Sequence, residues 1–117
     1  MKFMMLINLG PEARDWQNLD EAGREAIQAG WQTLNETPGV TPGTGLAPPA
    51  TATTVRVKDG KTLTTDGPYV ETKEALDGFF ILEADDLDAA IEVAARVPAT
   101  RMGGAVEIRP VMEWQQS

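Results

Sequence analysis

Apolar positions along the chain divide it into segments of two periods. Residues 2–9 carry bulky apolar side chains at both odd and even positions, which predicts a strand covered on both faces. Gly10 and Pro11 interrupt it, and the following polar stretch leads to a helix predicted from an Asn18 N-cap, with Glu21 placed as in a capping box, to about Asn35. Leu19, Gly23, Ile27, Trp31 and Leu34 recur at helical steps and form its apolar stripe, which must lie on a sheet. Gly23 and Gly30 each cost roughly 1 kcal/mol against Ala in a helix interior, so a close backbone approach is expected there.

Residues 37–50 hold four Pro and three Gly, the composition of a connection, with a short edge strand around Thr44–Leu46. Thr53–Lys58 and Lys61–Thr65 then flank Asp59-Gly60, a strong hairpin signal. A two-residue turn pairs Lys58 with Lys61, Val57 with Thr62 and Arg56 with Leu63, and the Val55–Val57 face is expected to be the buried one. Asp66-Gly67-Pro68-Tyr69 reads as a turn, and Phe79-Phe80-Ile81-Leu82 as a central strand, again apolar on both faces. Asp85 or Asp86 caps a second helix with Leu87, Ala90, Ile91, Ala94 and Val97 as its stripe, ended by Pro98. The last strand, Ala105–Val111, alternates Val106 and Ile108 with Glu107 and Arg109.

Strand, helix, hairpin, strand, helix, strand is the order of an α+β ferredoxin-like sandwich, an antiparallel sheet with two helices on one face, in one domain over residues 1–117. Two helices cover one face only, yet two strands are apolar on both. The uncovered face is therefore expected to meet a second copy, making a homodimer.

Composition removes much chemistry. The chain has no Cys, no His and one Ser, Ser117, which excludes thiolate and serine nucleophiles, imidazole bases and the usual zinc ligands. Ten Lys+Arg against 18 Asp+Glu give a net charge of −8, which disfavours nucleic acid and anionic membrane surfaces as partners. The apolar start reads as a strand and not as a secretory signal, and no apolar stretch approaches the length of a membrane span, so a cytoplasmic location is expected. Asp85, Asp86 and Asp88 are explained by a helix start, and neither a metal nor another cofactor is predicted.

Among the remaining residues, Asp66 is the catalytic candidate, a carboxylate expected to face a subunit cleft as general base, with turn-anchoring as its structural alternative. Lys73 beside Glu71 suits binding of a carboxylate or acid catalysis, against a solvated loop pair. Arg56 and Arg109 offer guanidinium forks to an anion, with salt bridges to Glu71 or Glu107 as the alternative. Tyr69 and Trp31 are ring-bearing candidates to line a pocket, although aromatic residues commonly serve the core.

Three blocks carry a resemblance: Pro48-Pro49-Ala50-Thr51-Ala52-Thr53-Thr54-Val55-Arg56, Thr65-Asp66-Gly67-Pro68-Tyr69-Val70-Glu71-Thr72-Lys73-Glu74, and Gly103-Gly104-Ala105-Val106-Glu107-Ile108-Arg109-Pro110-Val111. Together they resemble the YCII-related proteins of the DGPF type over nearly the whole chain. The resemblance implies a ferredoxin-like fold dimerising as a dimeric α/β barrel. Some members of the wider family are enzymes acting on small cyclic or chlorinated acids, with a His–Asp pair proposed as active site; without His that pair cannot operate here. Tyr69 stands where the family usually has Phe, which keeps the ring and adds a hydroxyl.

Two functions are therefore carried forward. One is a small cytoplasmic dimer that binds or transforms a small carboxylated molecule by proton transfer at an Asp-centred cleft. The other, implied by the frequent genomic proximity of DGPF-type proteins to extracytoplasmic-function sigma factors, is a non-catalytic accessory or regulatory module in a sigma-factor association.

Overall fold

The computed structural model describes residues 1–10, 18–67 and 76–112. Its elements are β1 (Lys2–Asn8), α1 (Glu21–Asn35), β2 (Val40–Gly45), β3 (Thr53–Lys58), β4 (Lys61–Asp66), β5 (Gly78–Glu83), α2 (Leu87–Ala95) and β6 (Ala105–Pro110), with short 3₁₀ turns at Pro49–Thr51 and Pro98–Arg101. Strands β2, β5, β1 and β6 form one antiparallel sheet in that spatial order, and β3 and β4 pair separately. Apart from the hairpin between β2 and β5, this is the βαββαβ connectivity of the expected α+β ferredoxin-like fold.

The register separates the two faces of the sheet. Phe3, Met5 and Ile7 of β1 lie opposite Leu82, Phe80 and Gly78 of β5, and opposite Pro110, Ile108 and Val106 of β6. With Leu34 of α1 and with Ala90, Val93, Ala94 and Val97 of α2 and its exit, Phe3, Met5, Ile7, Phe80 and Leu82 form the core. The other face presents Met4 opposite Ile81 and Leu6 opposite Phe79, all half-buried, bordered by Arg109 and Glu107 on β6 and by Thr41 and Thr44 on β2.

Several sequence expectations are corrected. The N-cap of α1 is Asp20, not Asn18: Asp20 has extended backbone, and its Oδ1 accepts the Gly23 N–H at 2.7 Å. Asp86 caps α2, accepting the Ala89 N–H at 2.8 Å. Leu87 and Ile91 do not belong to the buried stripe of α2; they are exposed, and Val93 takes the inward position. The edge strand begins earlier, at Val40, and its register shifts between Thr41 and Thr44, at the Pro42-Gly43 pair. The close approach predicted at Gly30 is present, since a Cβ there would sit 2.7 Å from Pro98 Cγ.

The hairpin has the predicted register, including Lys58 opposite Lys61. Asp59 and Gly60 have φ of 51° and 76°, the left-handed pair that a type I′ turn requires. Its Val55–Val57 face is exposed, however, with Val57 70% accessible, because β3 and β4 form a sheet of their own and the hydrophobic core is assembled elsewhere.

Candidate functional site

The sequence candidates do not assemble into one site among the described residues. Asp66 ends β4 opposite Thr53, and Arg56 lies opposite Leu63, so strand alternation puts their side chains on opposite faces of the hairpin. Arg109 belongs to the other sheet, on its outer face beside Met4. All three are exposed. Tyr69, Glu71 and Lys73 lie outside the described residues. The end of β4 is tied to β3 by the Gly67 N–H donating to the Ala52 carbonyl and the Thr54 hydroxyl donating to the Gly67 carbonyl, each at 2.7 Å. Neither bond uses the Asp66 carboxylate.

A cavity of about 330 Å³ lies elsewhere, at the end of the sheet where the hairpin departs. Its origin can be read from the register. On the row facing the helices, Ile7 of β1 lies opposite Gly78 of β5, and Gly78 lies opposite Gly45 of β2. Two adjacent positions of that row thus carry no side chain, and the cavity beside them is lined by Trp31, Leu34 and Asn35 of α1. The two glycines differ. A Cβ on Gly45 would meet nothing within 4 Å, whereas one on Gly78 would sit 3.0 Å from the Thr44 carbonyl oxygen.

Leu9 and Phe80 add apolar wall, and Asp77 is the acid of the described lining. Asp77 is 7% exposed. Its Oδ2 accepts the Leu9 N–H at 2.7 Å, while its backbone N–H donates to Ile7 and its carbonyl accepts from Leu46, both at 2.8 Å. One residue thereby ties the ends of β1, β2 and β5 together and holds a carboxylate on an otherwise mainly apolar wall. The bonding is also the reason a charged residue tolerates this burial.

Sequence reasoning named Trp31 as a pocket candidate but missed Asp77, Gly78 and Gly45. The available signal was an acid and a glycine placed directly before the apolar run Phe79–Leu82. A second hollow, of about 230 Å³, lies between the end of α1 and Arg96. The Thr37 hydroxyl on its rim is spent on the Thr33 carbonyl at 3.0 Å.

Among the described residues no group of three or more acidic side chains could hold a metal ion, and no helix is long and apolar enough to cross a membrane.

An uncharacterized protein from Rhizobium meliloti (strain 1021) is 39% identical to this chain over 67 residues, which is 56% of this chain and 54% of the relative. The similarity thus spans about half the length of that curated relative. The model of the YCII-related domain matches residues 1–115, nearly the whole length, and the chain belongs to the YCII-related family.

Proposed function

We propose that this chain is a cytoplasmic homodimeric protein that binds a small, largely apolar, ring-bearing molecule in the cavity beneath α1. The observation that carries the reading is the vacant pair Gly45 and Gly78, which opens a cavity of about 330 Å³ walled by Trp31, Phe80 and the buried Asp77. Its size, its apolar walls and its few convergent polar groups are those of small-molecule sites. Asp77 is the titratable side chain of the described lining, so proton transfer on a bound molecule would run through it. The reading moves the Asp-centred cleft from Asp66 to Asp77.

Dimerisation is supported by the outer face of the sheet. Met4, Leu6, Phe79 and Ile81 form an apolar centre between Thr41 and Thr44 on one side and Glu107 and Arg109 on the other, a pattern suited to a second sheet packed face to face. The ligand test is calorimetric titration of the wild type and Gly45→Val with 2-phenylethanol, an uncharged ring with a donor. Saturable binding lost in the variant supports the reading, and equal binding by both proteins refutes the cavity as its site.

A second reading, the accessory module in a sigma-factor association, draws on apolar surface away from the sheet. Val55, Val57 and Leu63 on the hairpin are exposed, as are Leu87 and Ile91 on α2. A two-stranded ribbon is marginally stable in isolation, so contacts from a partner would stabilise it. Val57→Lys distinguishes the readings, since it leaves the cavity and the outer sheet face intact and would weaken only a partner docked on the hairpin.

A further inference from the structure

Positive charge is unevenly placed on this acidic chain. Lys58 lies opposite Lys61 and Arg56 opposite Leu63, so these four side chains share one face of the hairpin, with Val55 and Val57 on the other. Asp59 sits in the turn and Asp66 on the valine face, so the lysine face holds three cations and no acid. Like charges directly opposite each other on a ribbon are unfavourable, and neither lysine has an ion-pair partner among the described residues. Beyond their mutual pairing, β3 and β4 make no extensive contact with the other described elements.

The complementary surface stands on α2. Leu87 and Ile91 are exposed and lie one helical turn apart; Asp88 and Glu92, each the next residue along, are exposed too and form an acidic ridge beside the apolar one. Neither acid has an ion-pair partner among the described residues. The spacings agree: side chains directly opposite across an antiparallel pair have Cβ atoms about 4.5–5.5 Å apart, and those four residues apart on a helix about 5–6 Å. Each like-charged pair repels itself. Brought together, the two pairs form two ion pairs, and Leu63, exposed beside Lys61, meets the Leu87–Ile91 ridge.

We propose that the Lys58–Lys61 face of the hairpin docks on the Asp88–Glu92 face of α2 in a second copy of this chain. Within one chain the two surfaces make no extensive contact, and every copy carries both halves, so two copies can each place a hairpin on the other's α2 about a two-fold axis. This contact is independent of the cavity reading. It uses neither the outer sheet face nor the Val55–Val57 face of the hairpin.

The test is sedimentation velocity at about 0.15 M salt, where a Debye length of about 8 Å mutes distant charges. Wild type, Lys58→Glu/Lys61→Glu, Asp88→Lys/Glu92→Lys and an equimolar mixture of the two variants are compared. Pairing through the outer sheet face is common to all samples and cancels in the comparison. Each variant alone sets like charges against each other at the contact and is expected to associate on the order of tenfold more weakly than wild type. The mixture restores opposite charges at both contacts and is expected to recover wild-type association. Net charge alone gives a different pattern, because the first variant is four charges more negative than wild type and the second four charges less negative. Tighter association of Asp88→Lys/Glu92→Lys than of wild type overturns the proposal. So does a mixture that associates no better than its components, or equal association by wild type and Lys58→Glu/Lys61→Glu. Glu92→Lys alone, past the first turn of α2, repeats the comparison where a lysine at position 88 weakens the helix start.

Discussion

A glycine replaced by a larger residue inside a sheet usually introduces a clash or is neutral, yet Gly45→Val is expected to stabilise this protein. Gly45 shares the helix-facing row with Gly78 and Ile7, and a Cβ there meets nothing within 4 Å. The added isopropyl group fills part of a cavity of about 330 Å³ whose walls already exist. Fully burying a Val side chain contributes about 1.5–3 kcal/mol, and relieving the backbone entropy of a strand glycine adds about 0.5–1 kcal/mol. Gly45 is itself exposed at the cavity rim, so only part of that burial is realised, and the new side chain loses rotamer freedom; a net gain of about 0.5–1 kcal/mol is expected. Gly78→Ala, one strand away, should lose stability, because its Cβ would press on the Thr44 carbonyl at 3.0 Å. The assay is urea denaturation followed by far-UV circular dichroism, with the midpoint rising for Gly45→Val and falling for Gly78→Ala at unchanged slope. A fall for Gly45→Val together with no change for Gly78→Ala would refute the assignment of the cavity to a missing side-chain pair.

Other expectations follow from the same geometry. Asp77→Ala removes the acceptor of the Leu9 N–H and should cost about 1–3 kcal/mol in the same titration, with Asp77→Asn costing clearly less. Ile81→Asp places a charge at the centre of the outer sheet face and should convert a dimer to a folded monomer in light scattering; a dimer that persists removes that face as the interface. Asp66→Ala should leave stability within about 0.5 kcal/mol, since the bonds of Gly67 to Ala52 and Thr54 tie the end of β4 to β3, whereas Thr54→Val should cost about 0.5–1.5 kcal/mol. A larger loss for Asp66→Ala would return that residue to the role of turn anchor.

What could be read from the sequence was local. Asp59-Gly60 determines a turn through the φ values it permits, so the hairpin and its register were legible before any tertiary contact. The doubly apolar β1 and β5 were legible as strands because bulky apolar side chains stand at both odd and even positions, one face buried under the helices and the other half-buried. The cap of α1 was misplaced because Asn18 and Asp20 are both good caps, and only the backbone bend at Asp20 decides between them. On α2, the stripe through Leu87 and Ile91 and the stripe through Val93 are rotations of one apolar helix, and packing on the sheet chose the second.

The site was the least legible part. Gly45 and Gly78 are far apart in sequence, and their adjacency depends on a register interrupted by the irregularity between Thr41 and Thr44. A cavity made by two absent side chains leaves no apolar period to detect. No periodic sequence pattern singles out Asp77, because its burial comes from three strand ends converging on its backbone and carboxylate. The candidates chosen instead, Asp66 and Arg56, share a hairpin but occupy opposite faces of it, a separation that follows from strand alternation and the pairing register.

The most direct measurement is a nitrogen-edited NMR titration of the wild-type protein with 2-phenylethanol. The account predicts saturable shifts at the amides of Leu9, Gly45, Asp77 and Gly78, with the outer sheet face and the hairpin unchanged. Shifts confined to the hairpin or to the outer face, or none at concentrations that saturate ordinary fragment sites, would contradict it.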